Sequence, residues 1–383
     1  MIAALGRNDG RFSMRLMVVK DRNVNSRFVW DYCNMLAKRG YEVNFVFDSF
    51  KQQAGPANLL PQVKVRNLSA RRGNLLQDIW CGLKSVFQPA SFRYAEAIRQ
   101  IKPDVIVCYF LKDVYNVCFL HNHKIPIVMM VHNHPPVFFA PLRKKPLRYR
   151  IYKKQLEKIA AYDLLLESFK GTIGEDYPKH EERVIGNIIA QIPENERADL
   201  SVEKKKIIYV CRVDEVQKRQ HLLFEAFGKI ARDFPEWKIE LYGSIKHPDY
   251  HQRLLEQLKR LGIEKQVEFM GYADDVKAVY RGADFMAWPA AYEGLSIALA
   301  DGQAHGLPAI GFADAPSVNE VIVDGVNGFL ARDVDDFAVK MAKLMSDKEL
   351  RIKMGAEAAK GVEQYAEEHI ADQWERLLKD LAG

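Results

Sequence analysis

Glu293 and Asp301 stand eight positions apart in Tyr292-Glu293-Gly294-Leu295-Ser296-Ile297-Ala298-Leu299-Ala300-Asp301. The apolar run Phe285-Met286-Ala287-Trp288-Pro289 enters this stretch, and Ala309-Ile310-Gly311-Phe312 leaves it. The pattern reads as strand, tight loop, helix, strand. Gly306 and Pro308 stand where a glycine and then a proline close a helix. One carboxylate therefore sits just ahead of a helix and the other about two turns into it. Gly294, Leu295 and Ser296 lie between, where backbone N–H groups have no partner in the helical ladder. That is a place suited to phosphate, and Gly294 has no side chain to hold one off. By residue types alone, an α/β turn bearing solvated acids is the other account.

The elements around this stretch alternate. Lys206–Arg212 reads as a strand, followed by a helix over about 218–233 and the strand Trp237–Gly243. A helix at about 248–261, the strand Val267–Gly271 and a short helix at about 274–281 come next. The N-terminal half repeats the rhythm. Arg15–Lys20 is a strand, about 26–39 a helix ended by Gly40, and Val43–Phe47 a strand. A helix at about 90–101 precedes the strands Pro103–Tyr109 and Ile125–Val131, and Leu164–Ser168 and Arg183–Asn187 read as the last two. Residues 1–13 read as a loosely attached extension, and Met14 as an alternative start. Alternating strands and helices predict an α/β fold with doubly wound parallel sheets. At 383 residues the chain is long for one core, so two domains are expected. The polar segment from Pro193 to Lys206 reads as the linker. This divides the chain into 1–195, 196–365 and a terminal helix within 366–383, which carries Ile370, Trp374, Leu377 and Leu378 at helical spacing.

The Glu293-to-Asp301 stretch with its Gly-Leu-Pro turn resembles the donor-site signature of the retaining GT-B glycosyltransferases of family 4. The resemblance extends over roughly residues 200–365 and more weakly over the N-terminal half. It implies the GT-B architecture: two Rossmann-like domains facing across a cleft, with the terminal helix crossing back onto the N-terminal, acceptor-binding domain. It implies that Arg212 and Lys218 hold the diphosphate of a nucleotide-sugar with the Gly294, Leu295 and Ser296 amides. Glu293 would then position the donor sugar and Asp301 the ribose, where the family usually has Glu. Gly243 and Tyr272 would border the nucleotide, and His132 the donor sugar and acceptor hydroxyl. Many relatives have a Gly-Gly loop after the first strand. Here the loop is Asp21-Arg22-Asn23-Val24-Asn25-Ser26, whose polar contacts on the acceptor side would be Arg22 and Asn23. The chemistry fits these roles: as a sugar–phosphate bond breaks, negative charge grows on the leaving diphosphate, and fixed cations stabilise that state above the ground state.

Bulk properties bound the rest. The chain is 48% apolar and 28% charged, as expected of a soluble globular protein, with net charge +6. Cys33, Cys81, Cys108, Cys118 and Cys211 form no Cys-x-x-Cys pair and predict reduced residues in a cytoplasmic protein. No apolar run reaches signal-peptide or membrane-spanning length. No metal set is expected: Asp333-Val334-Asp335-Asp336 reads as a helix cap, and the His-Asn-His triplets at 121–123 and 132–134 lack further ligands. The segment with Arg143, Lys144, Lys145, Arg148 and Arg150 interleaves cations with Leu147, Tyr149 and Ile151. It reads either as a face toward an anionic membrane or as a solvated helix with Leu147, Ile151 and Leu156 turned to the core. No nucleic-acid module accompanies it.

The expected function is transfer of a sugar, with retention, from a nucleotide-sugar, UDP-linked by family precedent, to a glycan or lipid-linked acceptor in bacterial surface-polysaccharide or lipopolysaccharide assembly. The nucleotide-sugar is a co-substrate, and neither cofactor nor metal is expected. The setting is cytoplasmic or peripheral on the inner membrane face. Two alternatives stay open: a nucleotide-sugar-binding subunit that partners an active transferase, and a GT-B sugar phosphorylase.

Overall fold

The computed structural model describes residues 7–8, 11–12, 14–22, 24, 26–49, 58–69, 90–120, 124–143, 146–175 and 177–383. Two compact units divide the chain: residues 1–188 with 367–383, and residues 189–366.

The N-terminal unit is built on β1 (Arg15–Val19), β2 (Glu42–Phe47), β3 (Lys64–Asn67), β4 (Val105–Cys108), β5 (Ile127–Val131), β6 (Ala161–Leu164) and β7 (Glu181–Val184). All pair in parallel, in the order β3-β2-β1-β4-β5-β6-β7. β1, β4 and β5 are near-continuous runs of Val, Ile, Leu and Met, as a sheet covered on both faces requires. The helices are α1 (Arg27–Lys38), α2 (Ala90–Ile101), α3 (Leu111–Cys118), α4 (Pro135–Arg143) and α5 (Pro146–Leu156). Arg7–Asn8 and Arg11–Phe12 pair as a short antiparallel hairpin.

Three readings shift here. β3 was not read as a strand, because Lys64-Val65-Arg66-Asn67 lacks an apolar run; it lies at the sheet edge and is half open to water. β6 and β7 begin about three and two residues earlier than their apolar letters suggest, because β6 buries Asp163 in the sheet and β7 opens on Glu181. In α5 the residues turned inward are Tyr152, Gln155 and Leu156, whereas Leu147 and Ile151 are exposed. The expected core stripe is thus corrected: Tyr152 stacks on Tyr115 of α3 at 5.4 Å, and that contact sets the rotation of the helix.

The second unit has β8 (Lys206–Val210), β9 (Lys238–Tyr242), β10 (Val267–Gly271), β11 (Phe285–Trp288), β12 (Ala309–Phe312) and β13 (Gly328–Ala331). They pair in parallel as β10-β9-β8-β11-β12-β13. Strand order reverses between β8 and β11, which makes the crevice at their carboxyl ends the place where such sheets receive ligands. The helices are α6 (Gln220–Gly228), α7 (Pro248–Leu261), α8 (Val276–Arg281), α9 (Ile297–Ala304), α10 (Val318–Val321), α11 (Val334–Ser346) and α12 (Lys348–Gly361). Asp333 caps α11 by accepting from the Asp336 N–H at 2.8 Å.

The last helix, α13 (Glu367–Ala382), belongs to the N-terminal unit. It buries Ile370, Trp374, Leu377 and Leu378, with Trp374 edge-on to Tyr32 of α1 at 4.7 Å. Arg39 meets Glu368, Asp372 and Glu375 along its outer side. These exposed pairs add little beside the buried indole. Trp374→Ala is expected to destabilise the N-terminal unit by about 3–5 kcal/mol. Denaturant unfolding measures it, and a loss under about 1 kcal/mol would show that α13 does not complete this core.

Candidate active site

Two loops meet at the β8/β11 crevice. The loop after β8 runs over 211–219 and is pinned by buried groups. Gln220 donates to the Arg212 carbonyl at 3.0 Å and accepts from the Asp214 N–H at 3.1 Å. The Tyr209 hydroxyl donates to the Lys218 carbonyl at 2.9 Å. Arg219, in the left-handed region at φ 48°, donates to the Pro289 and Ala290 carbonyls at 2.9 and 3.0 Å. Arg219 therefore ties the two loops together. The helix begins at Gln220, so Lys218 lies in the loop before it and not in its first turn.

The loop after β11 carries Glu293. Its carboxylate pairs with the Lys218 ammonium, and both side chains are less than one-tenth exposed. The other Glu293 oxygen accepts from Gln217 Nε2 at 3.2 Å, and the Trp288 indole N–H reaches the paired oxygen at 3.4 Å. Gln217 also accepts from Arg212 at 2.5 Å and donates to the Tyr292 carbonyl at 3.2 Å. Arg212 is further steadied by Asp214 at 3.3 Å. One amide thus links Arg212 to Glu293, using its oxygen for the cation and its nitrogen for the carboxylate.

α9 starts at Ile297, with Ser296 as N-cap residue in extended conformation and no side-chain cap bond. The free amides of the first turn therefore belong to Ile297 and Ala298 as well as to the three residues read from the sequence. At its other end Gly306, at φ 79°, accepts the left-handed turn and Pro308 follows, as expected. Asp301 lies just over one turn into α9, not two, and is buried. Its neighbour Gly302 sits so close to β11 that an added Cβ would lie 2.2 Å from Met286 Sδ.

A cavity of about 500 Å³ opens over this crevice, within the range of small-ligand sites. Arg212, Lys218, Gly243, Tyr272, Glu293, Leu295 and Ser296 line it, together with Lys246, Val276, Trp288, Ile297 and Ala298. Gly294 and Asp301 do not. Gly243 is at φ +147°, and a Cβ there would lie 2.1 Å from the Cys211 carbonyl oxygen, so the bare backbone is needed for β8 and β9 to end side by side. Tyr272 is 80% exposed at the rim. Gln217, Trp288 and Lys246 were missed. Gln217 reads as a loop residue, and only its place one residue before Lys218 hinted at a role. Trp288 reads as strand interior, although an indole N–H at a strand end needs an acceptor.

In the N-terminal unit His132 follows β5. Its imidazole is 3% exposed, bonded to Asp163 at 2.9 Å and packed edge-on against Phe28 at 4.4 Å. Burial and the Lys20 charge push it down to about 3, while Asn187 partly opposes this; burial pushes Asp163 well up. The ring is therefore neutral near pH 7. After β1 the buried polar side chains are Lys20 and Asp21. Lys20 is buried, bonded to Ser26 at 2.7 Å and 3.8 Å from the Tyr109 ring centre; burial lowers it to about 8. Asp21 accepts from Tyr94, from Asn116 at 3.1 Å and from the Asp48 N–H at 2.9 Å. Arg22 is exposed, and Asn23 lies outside the described residues.

Of the basic segment, Arg148 lies 5.2 Å from the Tyr152 ring, and Arg150 is exposed. Lys144, Lys145 and the Arg143 side chain lie outside the described residues, as does Cys81. Cys33, Cys108, Cys118 and Cys211 are free. Among the described residues no group of three or more His, Cys, Asp or Glu is placed to hold a metal ion, and no helix is long and apolar enough to cross a membrane.

Two parallel doubly wound units of this order make the GT-B architecture. HepE from Anabaena, crystallised in complex with UDP and glucose, superposes with a TM-score of 0.73 over 96% of this chain and 100% of its own, at 17% identity. Residues 191–361 match the model of Glycosyl transferases group 1, and residues 26–166 match that of Glycosyltransferase Family 4, so the chain belongs to this glycosyltransferase family. An uncharacterized glycosyltransferase of Haemophilus influenzae is 26% identical over 51% of this chain and 54% of its own length. An exopolysaccharide phosphotransferase of Streptomyces coelicolor is 27% identical over 83% of this chain and 33% of its own. The chain thus spans about half or less of the length of these relatives.

Gln217→Glu sets a third carboxylate against Glu293 and is expected to lower the thermal midpoint by the equivalent of about 1–3 kcal/mol, more than the uncharged Gln217→Met does. Equal midpoints for both variants and wild type would remove Gln217 from this account.

Proposed function

We propose that this protein transfers a sugar, with retention, from a UDP-sugar to a glycan or lipid-linked acceptor in the cytoplasm, in bacterial surface-polysaccharide assembly. The observation that carries the proposal is the convergence of Arg212, Lys218 and the α9 N-terminus on one cavity that also holds Glu293. A diphosphate needs fixed cations and free N–H groups, and the cavity offers both. The UDP in the HepE complex supports a uridine donor, and the exopolysaccharide relative supports the setting.

In this reading the diphosphate rests on Arg212, Lys218 and the amides from Leu295 to Ala298. These groups do the work that a divalent metal does elsewhere, and no metal is required. Lys218 has three N–H donors, so it can keep Glu293 and still meet a phosphate oxygen. Glu293 holds the donor-sugar hydroxyls. Tyr272 and Gly243 border the nucleotide, and Asp301 acts on the ribose side from within α9. The sugar C1–O bond to the diphosphate breaks as the acceptor oxygen bonds to C1 on the same face, and the acceptor proton passes to a diphosphate oxygen. The N-terminal unit receives the acceptor. His132, being neutral and buried, serves there as a fixed hydrogen-bonding group and not as a proton carrier.

Thermal unfolding with a panel of nucleotides tests this. UDP at about 100-fold over its Kd is expected to stabilise the protein by about 2.7 kcal/mol. Lys218→Ala leaves Glu293 buried without its cation, so its own midpoint falls; Lys218→Ala with Glu293→Gln restores part of the midpoint but not the UDP shift. A shift with GDP alone would change the donor. No shift with any nucleotide would sink the transferase reading.

A further inference from the structure

From Val114 through Leu156 the chain has no Asp or Glu and eight Lys or Arg residues. α4 and α5 lie in this stretch. α5 turns Tyr152, Gln155 and Leu156 inward. Leu147, Arg150, Ile151 and Lys154 stand at i, i+3, i+4 and i+7, which puts them on one stripe of the helix. All four are exposed, Leu147 by 75%. Phe119 and Leu120, also exposed, follow α3. The Tyr115 ring lies 4.9 Å from Phe119 and 5.4 Å from Tyr152, and Lys158 donates to the Cys118 carbonyl at 2.8 Å.

Single exposed apolar residues need no explanation, but here they share a stripe with cations, and α5 itself holds no acid, the exposed Glu157 following one residue past its end. A helix made only for solvation carries charges of both signs. A polyanion in solution, such as nucleic acid, would engage the cations and gain nothing from Leu147 or Ile151. An anionic bilayer engages both, the apolar side chains entering the headgroup–acyl boundary and the cations meeting headgroup phosphates.

We propose that the outer face of α5 forms a docking surface for an anionic lipid bilayer, with Leu147 and Ile151 inserted and Arg150 and Lys154 on the headgroups. The surface stands on the N-terminal unit alone and does not depend on the identity of the donor. Each cation near an anionic surface adds about 1 kcal/mol, about fivefold in partitioning, so the attachment is reversible.

Co-sedimentation of the full chain with vesicles tests the surface. Wild type is expected to bind vesicles rich in phosphatidylglycerol, to bind phosphatidylcholine vesicles weakly, and to be released by salt. Arg150→Gln/Lys154→Gln is expected to weaken binding about 25-fold by the same increment. Leu147→Ser/Ile151→Ser weakens it as well. The exposed pair Lys259→Gln/Arg260→Gln on α7 serves as a charge-matched control and leaves binding unchanged. All three pairs are on the surface, so thermal midpoints stay near wild type. Equal loss in the α7 control would mean that net charge alone is read and would overturn the proposal. So would full binding by Leu147→Ser/Ile151→Ser, or binding to an oligonucleotide that depends on the same cations and outcompetes the vesicles.

Discussion

The Lys218–Glu293 ion pair is the constraint on which the second unit's crevice depends. Both side chains are almost fully withdrawn from water, and neither charge is tolerable there without the other. The pair joins the loops that follow β8 and β11, the two strands between which the sheet order reverses. The surrounding contacts follow from the pair. Gln217 satisfies the second Glu293 oxygen, the Trp288 indole approaches the first, and Arg219 anchors the carbonyls that lead into the loop. A buried pair is weak evidence of stability, because a well-packed apolar pair would hold the loops as well. Its value lies in keeping a lysine ammonium, dehydrated and aimed, at a cavity wall.

The N-terminal sheet has the same reversal, between β1 and β4, and fills it differently. Tyr109 donates its N–H to the Val19 carbonyl, and Lys20 lies over the Tyr109 ring. Burial lowers the lysine, to about 8, and raises Asp21 and Asp113. His132 is held neutral beside them for the same reason. The two crevices share a topology and differ in what lines them: the second unit keeps ion pairs at its wall, and the first sets Lys20 and His132 among the Tyr109 and Phe28 rings.

Much of this was legible in the letters, unevenly. The alternation of strands and helices is carried by apolar periodicity, which water enforces on every covered sheet, and β10, β12, α2 and α7 fall on the residues that periodicity marks. Gly306 and Pro308 ended α9 because backbone geometry admits few substitutes there. β3 escaped, since an edge strand needs no apolar run, and β6 was placed about three residues late, since the buried Asp163 breaks its run. Arg212, Lys218 and Glu293 were found by type and spacing, but Gln217 was not. A glutamine has no chemistry of its own to announce it; its role exists only once two loops distant in sequence are brought within 3.2 Å of each other. The α5 stripe misled for a related reason. Its Leu, Ile and Tyr compete for the core, and only the stacking of Tyr152 on Tyr115 decides which of them goes in.

The cavity's charge balance bears on what it can hold. Glu293 neutralises Lys218, and Asp214 with Gln217 steadies Arg212, so without ligand the walls are close to neutral apart from the exposed Lys246. A neutral sugar approaching them gains hydrogen bonds and little else. A diphosphate adds charge to a site where the compensating carboxylates are already in place, and the α9 amides then become the nearest groups without a helical partner. Stabilisation by those amides grows with the charge on the oxygen they meet, which is greatest when the diphosphate departs. In the proposed function Lys218 and Glu293 act together: the carboxylate keeps the ammonium buried at the cavity wall before the donor arrives, and the ammonium's remaining N–H groups meet the diphosphate while the pair stays intact.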